Sequence, residues 1–154
     1  MSYWDKKLIR EQLDKKLIPL KTLAKTGMPE TGWIRAIREA LGMSSNDLAK
    51  RVGIDQSRIS RLEVAEKEGN IKLSSLYKIA RGLEMEFVYG FVPKDTLETM
   101  LREQARIIAL EKMKRLSHTM RLELQEIPVE EKENALKDMI DKILVDEPKS
   151  FWKK

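Results

Sequence analysis

The sequence has no cysteine and only one histidine, His118, among its 154 residues. A chain without cysteine has no disulfide, no thiolate metal ligand and no catalytic thiol. A single histidine is too few for a histidine-rich metal site and gives little support for a Ser-His-Asp triad. The sequence also lacks a Gly-rich phosphate loop and paired carboxylates in a pocket-like context. These absences predict a protein that is not an enzyme and uses no metal or other cofactor, with His118 as a packing or hydrogen-bonding residue.

Long hydrophobic runs are missing as well. No stretch approaches the roughly 18 apolar residues of a membrane-spanning helix. The N-terminal segment MSYWDKKLIR does not have the pattern of a signal peptide. We therefore expect a cytoplasmic protein without a membrane partner.

The charge that is present is mostly basic and unevenly placed. The formal net charge is +5. Lys and Arg outnumber Asp and Glu by seven to four in residues 1–30 and by ten to eight in residues 31–92, whereas residues 93–154 hold thirteen of each. A positive excess suits a polyanion partner. We therefore divide the chain into a basic N-terminal helix and linker (1–30), a central domain (31–92) and a C-terminal helical region for dimer or partner binding (93–154).

The segment LGMSSNDLAKRVGIDQSRISRLEVAE, residues 41–66, has the pattern of two short helices joined by a tight turn. The first is predicted over residues 45–52, and Gly53 can take the left-handed conformation that ends a helix. The second is predicted over residues 56–65, with Asp55 as its N-cap. The positions expected to face inward are Leu48, Ala49, Val52, Ile59, Leu62 and either Ala65 or Glu66.

The second helix begins with a polar outward face. Its members are Gln56, Ser57, Arg58, Ser60 and Arg61. A row of short amides, hydroxyls and arginines at the start of such a helix can read base edges in a DNA major groove. The alternative is a compact helical hairpin whose polar face is merely solvated.

This segment resembles the helix-turn-helix of the phage-repressor and Xre-type regulators. The matching positions are Met43, Ser44, Leu48, Ala49, Gly53, Ile54, Gln56, Ser57, Ile59, Ser60, Leu62 and Glu63. The resemblance implies that residues 31–92 form a repressor-like bundle that binds double-stranded DNA in the major groove. A homodimer of this domain would match a palindromic operator. It also implies a structural ion pair between Glu63 and Arg38, which lies in the first helix of the bundle, predicted over residues 33–41.

The same resemblance assigns DNA contacts to six residues, Ser44, Ser45, Gln56, Ser57, Arg58 and Arg61. Gln56 would read adenine or a neighbouring base edge, and Arg61 a guanine. Ser57 and Arg58 would each contact a base or a phosphate. The two serines that start the preceding helix would hold the DNA backbone.

Before this domain, residues 4–17 are predicted to form a basic amphipathic helix, broken by Pro19. Its apolar positions include Trp4, Leu8, Ile9 and Leu13. We expect its apolar face to pack on the body of the protein or on a partner subunit. The alternative is a membrane-surface role for this helix.

A fourth helix of the bundle follows over residues 73–83, and the segment MEFVYGFV, residues 85–92, then alternates like a strand. A lone strand is not stable. We therefore expect it to pair with the same strand of a two-fold-related subunit, and the alternative is a short buried fifth helix. The predicted fold is thus mostly α, a repressor-like helix-turn-helix bundle with N- and C-terminal helical extensions and one short strand that pairs across a dimer.

The C-terminal region is predicted to contain a long amphipathic helix over residues 95–126, kinked or divided near Ser117, and a second helix that begins after Pro128. Residues 127–148 contain seven acidic residues and only three lysines. An acidic amphipathic helix followed by Phe151 and Trp152 suits a protein partner, and the alternative is a solvated face over an ordinary core.

A narrower resemblance covers nearly the whole chain. The runs PETGWIRAIREALGMS (29–44), EFVYGFVP (86–93) and SHTMRLELQ (117–125) are similar to the family called mobile mystery protein A. This family consists of small bacterial regulators encoded beside a Fic-domain protein. The resemblance implies an autorepressor of a mobile two-gene module, and the alternative is an antitoxin that mainly binds and neutralises the Fic-domain protein. The chain lacks the Ser/Thr-x-x-x-Glu-Gly/Asn motif of known Fic-inhibiting helices, since Val64 and Val129 stand where the hydroxyl residue belongs.

Overall fold

A computed structural model describes residues 1–116 and 118–153, and these residues form helices without any strand. The helices are α1 (Tyr3–Leu17), α2 (Lys21–Thr26), α3 (Trp33–Ala40), α4 (Ser45–Val52), α5 (Gln56–Glu68), α6 (Leu73–Gly82), α7 (Leu97–Lys114), α8 (His118–Glu126) and α9 (Val129–Asp146). A 3-10 turn at Ile18–Leu20 contains the proline that ends α1. The prediction of a mostly α, repressor-like bundle with helical extensions is confirmed.

The chain divides into two compact units. One is Lys21–Gly90, which contains α2 to α6, and the other is Met1–Leu20 with Phe91–Lys154. The division differs from the three segments drawn on the sequence, because α1 packs against α7 in the same unit as the C-terminal helices.

The core of the unit Lys21–Gly90 comes from the inner faces of α3 to α6. Its buried residues are Ile34, Leu48, Ala49, Ile59, Ile79 and Leu83. Val52, Ile54 and Leu62 pack against it from the helix-turn-helix. The apolar spacing of the two short helices therefore serves to hold α4 and α5 against α3 and α6.

The other unit is built on the α7–α9 pair. Its buried residues are Ala105, Ala109, Ile143, Leu144 and Phe151. The two alanines lie one turn apart on α7, where small side chains let two helices approach closely.

α1 does not pack its apolar face on the body of the single chain, and packing on a partner subunit, the other expected arrangement, stays a prediction. Trp4 and Leu8 are exposed, with 68% and 56% of their surface accessible. The helix docks instead through polar side chains: Lys6 pairs with Glu147, Arg10 pairs with Glu98, and Asp14 accepts a hydrogen bond from the Leu97 N–H. The apolar residues of α1 are spread around the helix, which does not favour binding in a membrane surface. Among the described residues, no helix is long and apolar enough to cross a membrane.

The strand expected over residues 85–92 is not formed in the single chain, nor is the alternative fifth helix. A strand needs a hydrogen-bonded neighbour, and the described part of this chain provides none. Phe87 instead packs edge-on against Tyr77, with ring centroids 5.3 Å apart, and stacks with Tyr89 at 6.1 Å. Pairing of this segment with a second copy stays a prediction.

The long C-terminal helix is divided, since α7 ends at Lys114 and α8 begins at His118. Ser117, the predicted point of division, lies outside the described residues. His118 is exposed at the start of α8, which does not support a packing role, and a hydrogen-bonding role for it stays a prediction.

Candidate nucleic-acid interface

The first helix of the helix-turn-helix is capped by its own side chains. Ser44 is the N-cap of α4: its Oγ accepts a hydrogen bond from the Asp47 N–H at 3.1 Å, and the Asp47 carboxylate accepts one from the Ser44 N–H at 2.8 Å. The Ser44 hydroxyl also donates to this carboxylate, and these bonds lower the pKa of Asp47. This reciprocal capping box fixes the start of α4 and uses the hydroxyl that the sequence assigns to the DNA backbone.

The turn depends on Gly53. Its φ of 79° is in the left-handed region, and its N–H donates to the Ala49 carbonyl at 2.8 Å. A residue with a Cβ is strained in this conformation. Asp55 follows as the N-cap of α5, but its side chain makes no capping hydrogen bond.

The start of α5 presents a polar face to solvent. All five residues assigned to it, Gln56, Ser57, Arg58, Ser60 and Arg61, are exposed. Between them Ile59 is fully buried and anchors the helix in the core. The Gln56 amide donates to Ser45 Oγ at 3.0 Å, and Arg61 Nε lies 3.4 Å from the Ser57 carbonyl. Of the six residues assigned to DNA contact, the four on α5 are therefore exposed, Ser45 is half-buried beside Gln56, and Ser44 is exposed but engaged in its cap.

Arg38 and Glu63 form a two-point ion pair. Arg38 Nε lies 2.7 Å from Glu63 Oε1, and Arg38 Nη2 lies 3.3 Å from Glu63 Oε2. Arg38 Nη1 also donates to the Met43 carbonyl at 2.9 Å. Both side chains are nearly buried, and the hydrogen bonds to Glu63 raise the pKa of Arg38. The pair joins α3 to α5 and to the chain segment just before α4.

Glu66 caps α3, a role that the sequence analysis missed. The N-cap position of α3 is Gly32, which has no side chain, and both carboxylate oxygens of Glu66 accept from the Ile34 N–H, at 3.1 and 3.3 Å. Burial raises the pKa of Glu66, whereas the hydrogen bonds from the α3 backbone act to lower it and only partly offset the effect of burial. The available signal was an acidic residue at an inward position of α5.

Basic residues also gather beside the turn, and two of them, Lys50 and Lys78, were not predicted from the sequence. Lys50, Arg58 and Lys78 line a shallow depression of about 450 Å³ next to the N-terminus of α5. A helix N-terminus with adjacent cations favours a phosphate group. Among the described residues, no cluster of three or more His, Cys, Asp or Glu side chains is placed to hold a metal ion.

Comparisons with known proteins point to the same region. Residues 34–89 match the family described as Helix-turn-helix. An uncharacterised HTH-type transcriptional regulator of Sinorhizobium fredii is 43% identical over 58 residues, which are 38% of this chain and 29% of that relative. The match thus spans less than a third of the relative's length. No solved structure matches the chain.

Proposed function

We propose that this chain is a sequence-specific DNA-binding transcriptional regulator. The observation that carries the proposal is the exposed polar face at the start of α5, held by a buried Ile59 and flanked by basic residues. Gln56 and Arg61 are suited to read base edges, whereas Lys50 and Lys78 are suited to contact phosphates. The match of residues 34–89 to a helix-turn-helix family supports the proposal.

The regulator acts as a homodimer on a palindromic operator. Residues 85–92 support this because they form no helix and leave Val88, Tyr89 and Phe91 exposed at 62%, 57% and 83%. Pairing of this segment with its symmetry mate would cover these side chains and satisfy the backbone of both strands. Sedimentation of the Phe91→Asp variant tests the dimer, which should dissociate at concentrations where the native protein does not.

DNA binding is tested by fluorescence anisotropy on the upstream DNA of its own gene and on scrambled DNA, across a salt series. We expect the native protein to bind its own DNA about a thousandfold more tightly. Gln56→Ala and Arg61→Ala should lose most of this margin while keeping the affinity for scrambled DNA. Lys67→Ala is the matched control, since Lys67 is an exposed cation on the same helix far from its N-terminus. Equal affinity of the native protein for both DNAs would overturn the proposal.

The regulated genes are its own and that of a neighbouring Fic-domain protein, with the chain as autorepressor. The exposed apolar side chains of the C-terminal region, Leu122 at 46% and Val129 at 70%, favour a protein partner there. Co-purification of the two proteins, repeated with the Gln56→Ala variant, tests the antitoxin alternative. Co-purification that survives this substitution, together with relief of Fic toxicity, would favour neutralisation over repression. If the two proteins do not co-purify, only the regulatory role remains.

A further inference from the structure

The unit that contains α1, α7, α8 and α9 has a cavity of about 490 Å³. Its floor is apolar, made by Leu101, Leu144 and Phe151, and Trp152 lies at its side with 64% of its surface exposed. A volume of this size is typical of small-molecule sites, which combine an apolar floor with a few polar groups.

The polar lining of the cavity is strongly basic. Lys6, Arg10, Lys149 and Lys153 line it, against one carboxylate, Glu147. Lys6 pairs with that carboxylate, and Arg10 pairs with Glu98 at 2.9 Å. Neither of the other two lysines makes an ion pair with a described residue. The four cations of the lining are thus balanced by only two carboxylates, Glu147 in the lining and Glu98 beside Arg10. The cavity therefore keeps an excess of positive charge.

Arg10 adds positive charge beside the cavity but not a free contact atom. Its Nε donates to Glu98, and its Nη2 is buried without a hydrogen-bond partner among the described residues. Its guanidinium carbon also lies 5.7 Å from the centroid of the Tyr3 ring. The two lysines of the lining without an ion pair, Lys149 and Lys153, are therefore the groups that can contact an anionic ligand.

We propose that this cavity binds a small organic anion, a molecule with one carboxylate, phosphate or sulfonate group on an apolar or aromatic body. Lys149 and Lys153, the two lining lysines without an ion pair, bind the anionic group. The apolar body lies on Leu101 and Leu144 beside the Trp152 ring. This ligand site lies in a different unit from the helix-turn-helix and does not depend on the DNA-binding role.

The probes are anilinonaphthalene sulfonate and phenylnaphthylamine, which share the same aromatic body and differ in the anionic group. Binding is measured by fluorescence titration of the full chain in about 0.15 M salt, where only close charges contribute strongly. We expect the sulfonate to bind about tenfold more tightly than the neutral compound, as a favourable contact between nearby charges predicts. Addition of 2-naphthoate should displace the sulfonate, whereas 2-naphthylmethanol should not.

Two variants assign the binding to this cavity. Lys149→Glu reverses an exposed charge at its edge and should weaken sulfonate binding about tenfold without changing that of the neutral probe. Lys137→Glu makes the same charge change at an exposed position of α9 outside the cavity lining and should leave binding unchanged. Equal affinity for the two probes, or equal effects of the two variants, would overturn the proposal. Either result would leave the proposed DNA-binding function untouched, because that function is tested by a separate measurement of DNA affinity.

Discussion

The side chain of Gln56 is held by Ser45, whose Oγ accepts a hydrogen bond from the Gln56 amide at 3.0 Å. Both residues are on the outer side of the helix-turn-helix, Ser45 at the first turn of α4 and Gln56 at the first turn of α5. The bond crosses the turn and fixes the direction of the amide. In the proposed DNA complex, Gln56 would therefore enter the groove with part of its side-chain entropy already lost.

Removal of the Ser45 hydroxyl should therefore weaken specific DNA binding without a direct loss at the base. We expect Ser45→Ala to reduce affinity for the operator less than Gln56→Ala, which removes a contact worth about 1–3 kcal/mol. Affinity for scrambled DNA should stay near the native value in both. Anisotropy titrations measure this, with Ser150→Ala, an exposed serine in the other unit, as control. If Ser45→Ala weakens both DNAs equally, the hydroxyl contacts phosphate and does not position Gln56.

The Arg38–Glu63 pair should matter for folding more than for sequence preference. Removal of one partner leaves a nearly buried charge unpaired, and we expect Arg38→Met or Glu63→Gln to lower the free energy of unfolding by about 3–5 kcal/mol. The exposed pair Arg35–Glu39, also on α3, has a similar distance of 2.7 Å, but about half of each side chain is accessible. Its disruption should cost far less, because water screens an exposed ion pair.

Urea denaturation of Arg38→Met, Glu63→Gln, Arg35→Met and Glu39→Gln measures this contrast. The double variant Arg38→Met with Glu63→Gln should be more stable than either of its single parents, because no charge is then left unpaired. Similar losses at both pairs would show that burial does not distinguish them.

The sequence could predict α4, the turn and α5 because their determinants are local. Gly53 ends one helix, and the apolar spacing around Ile59 orients the next. The packing of α1 could not be predicted in this way. It depends on Lys6 and Glu147, which are 141 positions apart, and on Arg10 and Glu98, which are 88 apart. Alternation in residues 85–92 likewise shows a preference for extended backbone but does not supply the neighbouring strand.

The buried Glu66 should make stability depend on pH in a defined direction. Burial raises its pKa in the folded state above the ordinary value of 4.5. Folding then favours the protonated form, so this contribution to stability is fully present below the unfolded pKa and is lost as pH rises through the folded pKa. Glu66→Gln removes the titration. The native protein should therefore be more stable relative to the variant at pH 4 than at pH 7.

Urea midpoints of both proteins at the two pH values test this prediction. Carboxylates whose pKa is lowered, such as Asp47, act in the opposite direction but equally in both proteins, so they cancel in the difference. A difference between the two midpoints that does not change with pH would show that the buried carboxylate does not control the pH dependence.

Gly82 allows the close crossing of α4 and α6. A Cβ added at this glycine would lie 2.5 Å from Val52 Cγ2 and 3.5 Å from the Val52 backbone. Gly82→Ala should therefore overpack the crossing and reduce the free energy of unfolding by about 1–3 kcal/mol. The closest contact is a side-chain methyl, so Val52→Ala should create room for the new group. In a double-mutant cycle, the two substitutions together should cost clearly less than the sum of their separate effects. Additive costs would instead mean that the alanine strains the backbone of α6 and not its contact with α4.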